Sequence, residues 1–164
     1  MTTSTHRTLI ALIALAIALA LPTLASADTT KQATAAMKIN GKQVSAAAWA
    51  RHLVVEFLTI LQQDDPAPAL TTYLDPAFQI QRANGTREDK ASYIANPAHF
   101  GDFEVSGYRV TRNGTVIVAS FNVAAKETIG GLVYKKTPAP RIGTWLFSNG
   151  SWRLISYGNF NAPS

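Results

Sequence analysis

Residues 140–163 read PRIGTWLFSNGSWRLISYGNFNAP. Two β-rich runs flank Asn149-Gly150, the dipeptide that supplies two successive positive-φ residues to a type I′ hairpin turn. A two-residue turn there sets a register: Phe147 opposite Trp152, Trp145 opposite Leu154, Gly143 opposite Ser156. Side chains alternate across a strand. Arg141, Trp145, Phe147 and Trp152 are therefore expected on one face, and Ile142, Thr144, Leu146, Ile155, Tyr157 and Asn159 on the other. Each face is too apolar to leave in water, so one is expected to pack on helices and the other to meet a ligand or a second subunit.

Working upstream, Asn113-Gly114 predicts a second hairpin joining strands over 103–112 and 115–126. Its register would pair Tyr108 with Ala119, Val110 with Ile117, Ser106 with Phe121 and Glu104 with Val123, and that face is the better candidate for the core. Between the hairpins, Gly130-Gly131 and the Pro138/Pro140 stretch bracket a loop or short edge strand over 132–136. Further back the pattern turns helical. Ser45 is a good N-cap, and Trp49, Leu53, Phe57 and Ile60 or Leu61 recur on one helical face, ending near Gln63. Pro66 opens a short second helix that stops at Asp75-Pro76. A short strand over 78–82 turns at Asn84-Gly85, after which Thr86 is expected to cap a third helix with Asp89 three residues on and with Tyr93 and Ile94 on its buried side. Helices followed by a meander of strands describe an α+β fold, with a mainly antiparallel sheet packed on three N-terminal helices. The strands lack the regular alternation with helices that a doubly wound nucleotide fold shows.

Residues 1–27 read as a secretory signal peptide: His6 and Arg7, an apolar run over 9–21, Pro22, and then Ala25-Ser26-Ala27 before the expected cut. Thirteen apolar residues are too few to span a bilayer, which takes about 20. No cysteine is present for a lipid anchor or a disulfide. The expectation is an exported protein, periplasmic or secreted and probable in a bacterium, without a stable membrane anchor after cleavage. Residues 28–44 read as a flexible leader and 45–164 as the single folded domain. Removing Arg7 from the 15 basic residues leaves 14 against 10 acidic ones, a formal net charge of +4. These charges are dispersed, with Lys135-Lys136 the one adjacent basic pair, which argues against a nucleic-acid partner.

The helix with Phe57, the run Leu74-Asp75-Pro76-Ala77-Phe78, the Asn84-Gly85 turn before Tyr93, and Gly150-Ser151-Trp152-Arg153-Leu154 together resemble the nuclear transport factor 2-like superfamily. Arg141 and Trp145, with the Asn159-Phe160-Asn161 tail, are similar to its small exported SnoaL-like proteins. The resemblance covers about residues 45–163. It implies a curved sheet wrapped around helices into a cone, an apolar pocket between them, and often a homodimer formed through the sheet. It implies no single activity, since the superfamily holds isomerase-like, dehydratase-like and cyclase-like enzymes beside binding proteins.

Chemistry is read more sparingly. An isomerase of this kind needs a carboxylate in an apolar cavity, and Glu104 with Tyr108 is the pair that the expected register offers. A dehydratase-like reading points to His99, near Tyr93 and Asp102, with His52 a boundary residue of the first helix. The pocket is expected to draw on Tyr93, His99, Tyr108, Phe121, Arg141, Trp145, Tyr157 and Asn159, with Arg141 either reading an acidic ligand group or pairing with Asp75 or Asp102. Beyond the expected cut, two histidines 47 positions apart and no cysteine give no metal-ligand spacing and no cofactor motif. Three Asn-Gly-Thr/Ser sequons at 84, 113 and 149 read first as turns. The leading expectation is a binder of a small, mostly apolar molecule; a lyase or isomerase, or a dimeric interaction module, is the alternative.

Overall fold

The structure is a computed structural model and describes residues 23–161. The apolar run over 9–21, and with it most of the segment read as a signal peptide, lies outside the described residues. The chain runs α1 (Thr23–Ala35), β1 (Lys38–Ile39), β2 (Lys42–Gln43), α2 (Ala46–Ile60), α3 (Ala67–Tyr73), β3 (Leu74–Gln81), β4 (Arg87–Asp89), α4 (Lys90–Ala95), β5 (His99–Asn113), β6 (Val116–Ile129), β7 (Leu132–Tyr134), β8 (Ala139–Ser148) and β9 (Ser151–Asn159). The main sheet has the order β4-β3-β9-β8-β6-β5, and β7 also pairs with β6. All its pairings are antiparallel except β3 with β9, which run parallel. This is the α+β architecture expected, with helices against one face of a curved sheet.

Local signals hold where they depend on neighbours in sequence. Ser45 caps α2, its side chain accepting from the Ala48 amide at 3.2 Å. Leu53, Phe57 and Ile60 of α2 are buried. Asn149 and Gly150 both take positive φ, 50° and 78°, as a type I′ turn requires. Phe147 pairs with Trp152 and Trp145 with Leu154, as read.

Four expectations are corrected. Residues 28–44 are not a flexible leader but the body of α1 and the β1–β2 hairpin. Ala33 and Met37 are buried, the Trp152 indole N–H donates to the Ala33 carbonyl at 3.2 Å, and Arg112 donates to the Thr34 hydroxyl at 2.7 Å. The segment is weakly amphipathic by itself and is ordered by what it covers. Thr86 does not cap the third helix. It sits in the turn, where Asn84 Oδ1 accepts from its amide and hydroxyl, Arg87–Asp89 form β4, and Asp89 caps α4 by accepting from the Ser92 amide at 2.8 Å.

The other two corrections are bulges. In β5, Val110 pairs with Ala119, so the β5–β6 turn is Gly114-Thr115, and the register shifts between Ser106 and Arg109 around Gly107 at φ 65°. One extra residue reverses the side-chain alternation beyond it. Tyr108 and Val110 still face the core, but Ser106 and Glu104 turn outward and are exposed. In β9 the register shifts opposite Thr144 and Trp145, leaving Ile155 as the additional residue. Tyr157 then pairs with Gly143 and Asn159 with Arg141. Both move to the inner face, beside the two tryptophans.

Candidate functional site

The inner face holds two unlike regions. At the hairpin end, Trp145 is fully buried and its ring covers Gly143, where a Cβ would stand 2.5 Å from the indole. The Trp145 indole N–H donates to the Tyr73 hydroxyl at 2.9 Å, and that hydroxyl donates in turn to the Leu53 carbonyl. Phe147 and Trp152 close this end with ring centres 5.6 Å apart. Burial, first, raises the Tyr73 pKa well above the usual tyrosine range.

The opposite end of the same face is polar. Glu127 of β6 and Arg141 of β8 form an ion pair at 3.0 Å with both side chains 1% exposed. The second Glu127 oxygen accepts from Asn159 Nδ2 at 2.7 Å, and Asn161 adds a side-chain hydrogen bond. Burial raises the Glu127 pKa despite the opposing Arg141, Asn161, Asn159 and Arg82. Tyr134 of β7 stands directly across the strand from Glu127 and is 1% exposed. Arg82 follows β3, where the Asn84-Gly85 turn ties its backbone to Thr86. It is 3% exposed, and Nη1 donates to both Glu88 oxygens at 2.8 and 3.0 Å and to the Asn96 carbonyl at 2.8 Å. Its guanidinium lies 5.5 Å from the centre of the Tyr93 ring. Tyr93 and Tyr157 are buried, and burial drives both hydroxyls far above the usual tyrosine range. Strand pairing gathers these residues at one end of the face: Glu127 lies across from Tyr134, Arg141 across from Asn159, and Arg82 follows the Gln81–Gly158 pair with Tyr93 under its guanidinium.

The cluster is not internally satisfied. Arg82 Nε and Nη2, Arg141 Nε and the hydroxyls of Tyr134 and Tyr157 are buried without a hydrogen-bond partner in the protein. Tyr157 lies beside the Arg141 guanidinium, but at a geometry too poor for a hydrogen bond. Each unsatisfied buried group costs about 1–3 kcal/mol, and native interiors carry only a few such groups per 100 residues. Five of the six such atoms among the described residues belong to this cluster, the sixth being the Trp49 indole nitrogen.

The sequence-derived candidates divide accordingly. Tyr93, Arg141, Tyr157 and Asn159 come together in this cluster, and Phe121 lies across the strand from Arg141. Tyr108 stacks on Phe121 at 5.8 Å between centroids, half-buried beneath the exposed Arg51, whose guanidinium lies 5.3 Å from its ring centre. Burial raises the Tyr108 pKa, with Arg51 opposing. Trp145 belongs to the apolar end. His99 is exposed at the start of β5, opposite Thr128, and Glu104 is exposed on the outer sheet face. Tyr108, packed on Phe121, is therefore parted from the exposed Glu104 and His99. Arg141 pairs with Glu127, not with Asp75 or Asp102; Asp75 instead accepts from the Ser148 hydroxyl at 3.2 Å.

Arg82, Glu127 and Tyr134 escaped sequence reading. Glu127 continues the inward alternation Ile117, Ala119, Phe121, Val123, Ala125, so extending β6 by one residue past Lys126 finds it. Nothing local distinguishes Arg82 or Tyr134.

A cleft of about 660 Å³ crosses the outer sheet face between Gln79, Arg87, Ile142, Ser156 and Phe160 and reaches Glu88 and Tyr157 of the polar end. Another of about 480 Å³ runs between α2, α3 and the tip of the last hairpin, past Trp49, His52, Glu56 and Trp152. Among the described residues, no group of three or more His, Asp or Glu side chains is placed to hold a metal ion.

No family model matches the chain. No curated protein matches it either. Solved structures do. An NTF2-like protein from Cytophaga hutchinsonii superposes with a TM-score of 0.64 at 16% identity, over 72% of this chain and 99% of that one. A candidate ketosteroid isomerase from Parabacteroides distasonis gives 0.54 at 14% identity, over 75% and 92%. The CaMKII hub homology domain of Chlamydomonas reinhardtii gives 0.50 at 16%, over 71% and 97%. The chain has the nuclear transport factor 2-like fold. At these identities the likeness carries the fold alone, and the fold hosts many functions.

Proposed function

We propose that the protein binds a small molecule in the polar end of the cone, with the ligand's acceptor atoms meeting Arg82, Arg141, Tyr134 and Tyr157 and its apolar body lying against Phe121 and Tyr93. One observation carries the reading: five buried donor-bearing atoms on four neighbouring side chains without partners in the protein. Binding is favoured over catalysis because Glu127, the carboxylate inside the cluster, has both oxygens engaged by Arg141 and Asn159, and the lyase or isomerase candidates Glu104 and His99 lie outside it.

The test is a fragment screen of broad chemistry, followed by backbone and side-chain NMR. Perturbations concentrated on Tyr134, Tyr157 and Arg141 support the reading, and a screen in which no compound moves them overturns it.

The proposal includes export. A cut after Ala27 would fall inside α1, and the contacts of Thr30, Ala33 and Thr34 with the sheet lie beyond it. Intact mass of the protein from its producing cells tests this. The homodimer is likewise proposed through the outer sheet face, where Ile142 is 40% and Phe160 58% exposed over Gly158. Ile142→Asp should give a monomer by light scattering if that face is used.

A further inference from the structure

We propose that the ligand is a carboxylate seated on the Nε–Nη2 edge of Arg82. The inference rests on the binding reading above and adds the ligand's chemical class.

The argument starts from the way Arg82 is divided. One nitrogen, Nη1, serves three acceptors: both oxygens of Glu88 and the carbonyl of Asn96. Nε and Nη2 serve none, although the residue is 3% exposed. A guanidinium donates and never accepts, so what is missing on that edge is an acceptor. The N–H bonds of Nε and Nη2 that lie along one edge run parallel, and this fork matches the two oxygens of a carboxylate in a bidentate pair. A carbonyl or a hydroxyl presents one oxygen and fills half of it.

The neighbours extend the match. Arg141 Nε and the hydroxyls of Tyr134 and Tyr157 are further unpartnered groups at the same end of the sheet. A carboxylate bound by the fork still has lone pairs for such donors. Net charge alone does not select the anion, because Arg82 is paired with Glu88 and Arg141 with Glu127. Selection comes from directed N–H groups, which a lysine cannot reproduce. The guanidinium is held over the Tyr93 ring, and Tyr93 packs on Phe78 with centroids 5.6 Å apart. An aryl or short alkyl group attached to the carboxylate suits that aromatic surround.

The probes are benzoate and butyrate, each set against its primary amide, benzamide and butyramide. These keep size and shape while removing the charge and one acceptor. With the full processed chain, the carboxylates are expected to shift the Arg82 Nε–H resonance and raise the melting temperature, and the amides to bind at least tenfold more weakly. Arg82→Lys keeps a cation beside Glu88 and loses the fork, and should weaken carboxylate binding at least tenfold. Tyr134→Phe should weaken it a few-fold, and it serves if the lysine variant does not fold.

Amides binding as well as carboxylates, or an unmoved Arg82 resonance with saturating benzoate, overturn the carboxylate while leaving a binding site at Tyr134 and Tyr157 intact. A high-resolution structure at saturating benzoate with only water on the fork does the same. The binding reading itself falls only if the broad screen also moves nothing.

Discussion

The two ends of the inner sheet face are built from the same strands and finished differently. The indole N–H groups of Trp145 and Trp152 each meet an acceptor, that of the nearby Trp49 does not, and the ring of Trp145 occupies the space a side chain at 143 would need. Around Arg82 and Arg141 the ions are paired, yet donors are left over beneath the surface. Six residues of β8 separate Arg141 from Phe147, about 20 Å at the rise of a strand. The contrast separates an end closed mainly by aromatic packing from one where guanidinium and phenolic donors outnumber the acceptors that the chain supplies, which is why binding is proposed there.

That contrast can be broken at the apolar end first. Trp145→Ala removes the largest fully buried side chain and strands the Tyr73 hydroxyl from its donor, so a loss of ~4–5 kcal/mol in urea unfolding is expected. A loss below about 1 kcal/mol would mean that this end is not the structural anchor.

The polar end should respond to the kind of change more than to its size. Glu127→Leu leaves the buried Arg141 charge unpaired and is expected to cost about 3 kcal/mol or more. Glu127→Gln also removes the charge opposite Arg141, but it keeps the size and one acceptor oxygen, so it should cost less, about 1–3 kcal/mol. The sign of the pH dependence follows from the raised pKa of Glu127 by proton linkage. A carboxyl with a raised folded pKa contributes stability that is complete below its unfolded value, near 4.3, and is lost as pH rises through the folded value. The wild type should therefore lose part of its stability over that range, and Glu127→Gln should flatten the slope. An unchanged slope in the variant would assign the pH dependence to another group.

Gly143→Ala is a smaller intervention at the boundary between the two ends. Its Cβ would press on the Trp145 ring, with a cost of roughly 1–3 kcal/mol from overpacking. Melting of the variant, compared with Gly150→Ala at an open turn position with φ 78°, separates crowding from turn strain. Smallest is Ser45→Ala, which removes the α2 cap and should cost ~1 kcal/mol, leaving the polar end and the binding proposed there untouched. A change in ligand affinity in that variant would show that α2 couples the two ends.

Much of the fold was legible because its signals are local. Asn149-Gly150 determined a turn, and with it the Phe147–Trp152 and Trp145–Leu154 pairs. Ser45 determined where α2 begins, and the spacing of Leu53, Phe57 and Ile60 determined which side of it is buried. The candidate site was legible only in part. Tyr93 and Arg141 were named, and Tyr157 and Asn159 were named but assigned to the opposite face of the hairpin. Glu104 was assigned inward and lies outward.

The reason is parity. Side-chain direction in a strand repeats every two residues, so a pattern read from a turn is reliable until one residue is inserted, and from there every assignment reverses. Gly107 and Ile155 are those insertions, and pairing with the neighbouring strand is what makes them bulges. The sequence by itself determined the turns, the caps, the apolar faces and the order of helices before strands. The tertiary structure decided which polar residues meet: Glu127 with Arg141 across β6 and β8, Arg82 at the end of β3, Tyr134 on β7, and α1 laid over Trp152. These contacts join positions 14 to 119 residues apart, and burial in a shared interior, which no stretch of chain has alone, is what gives them their energies.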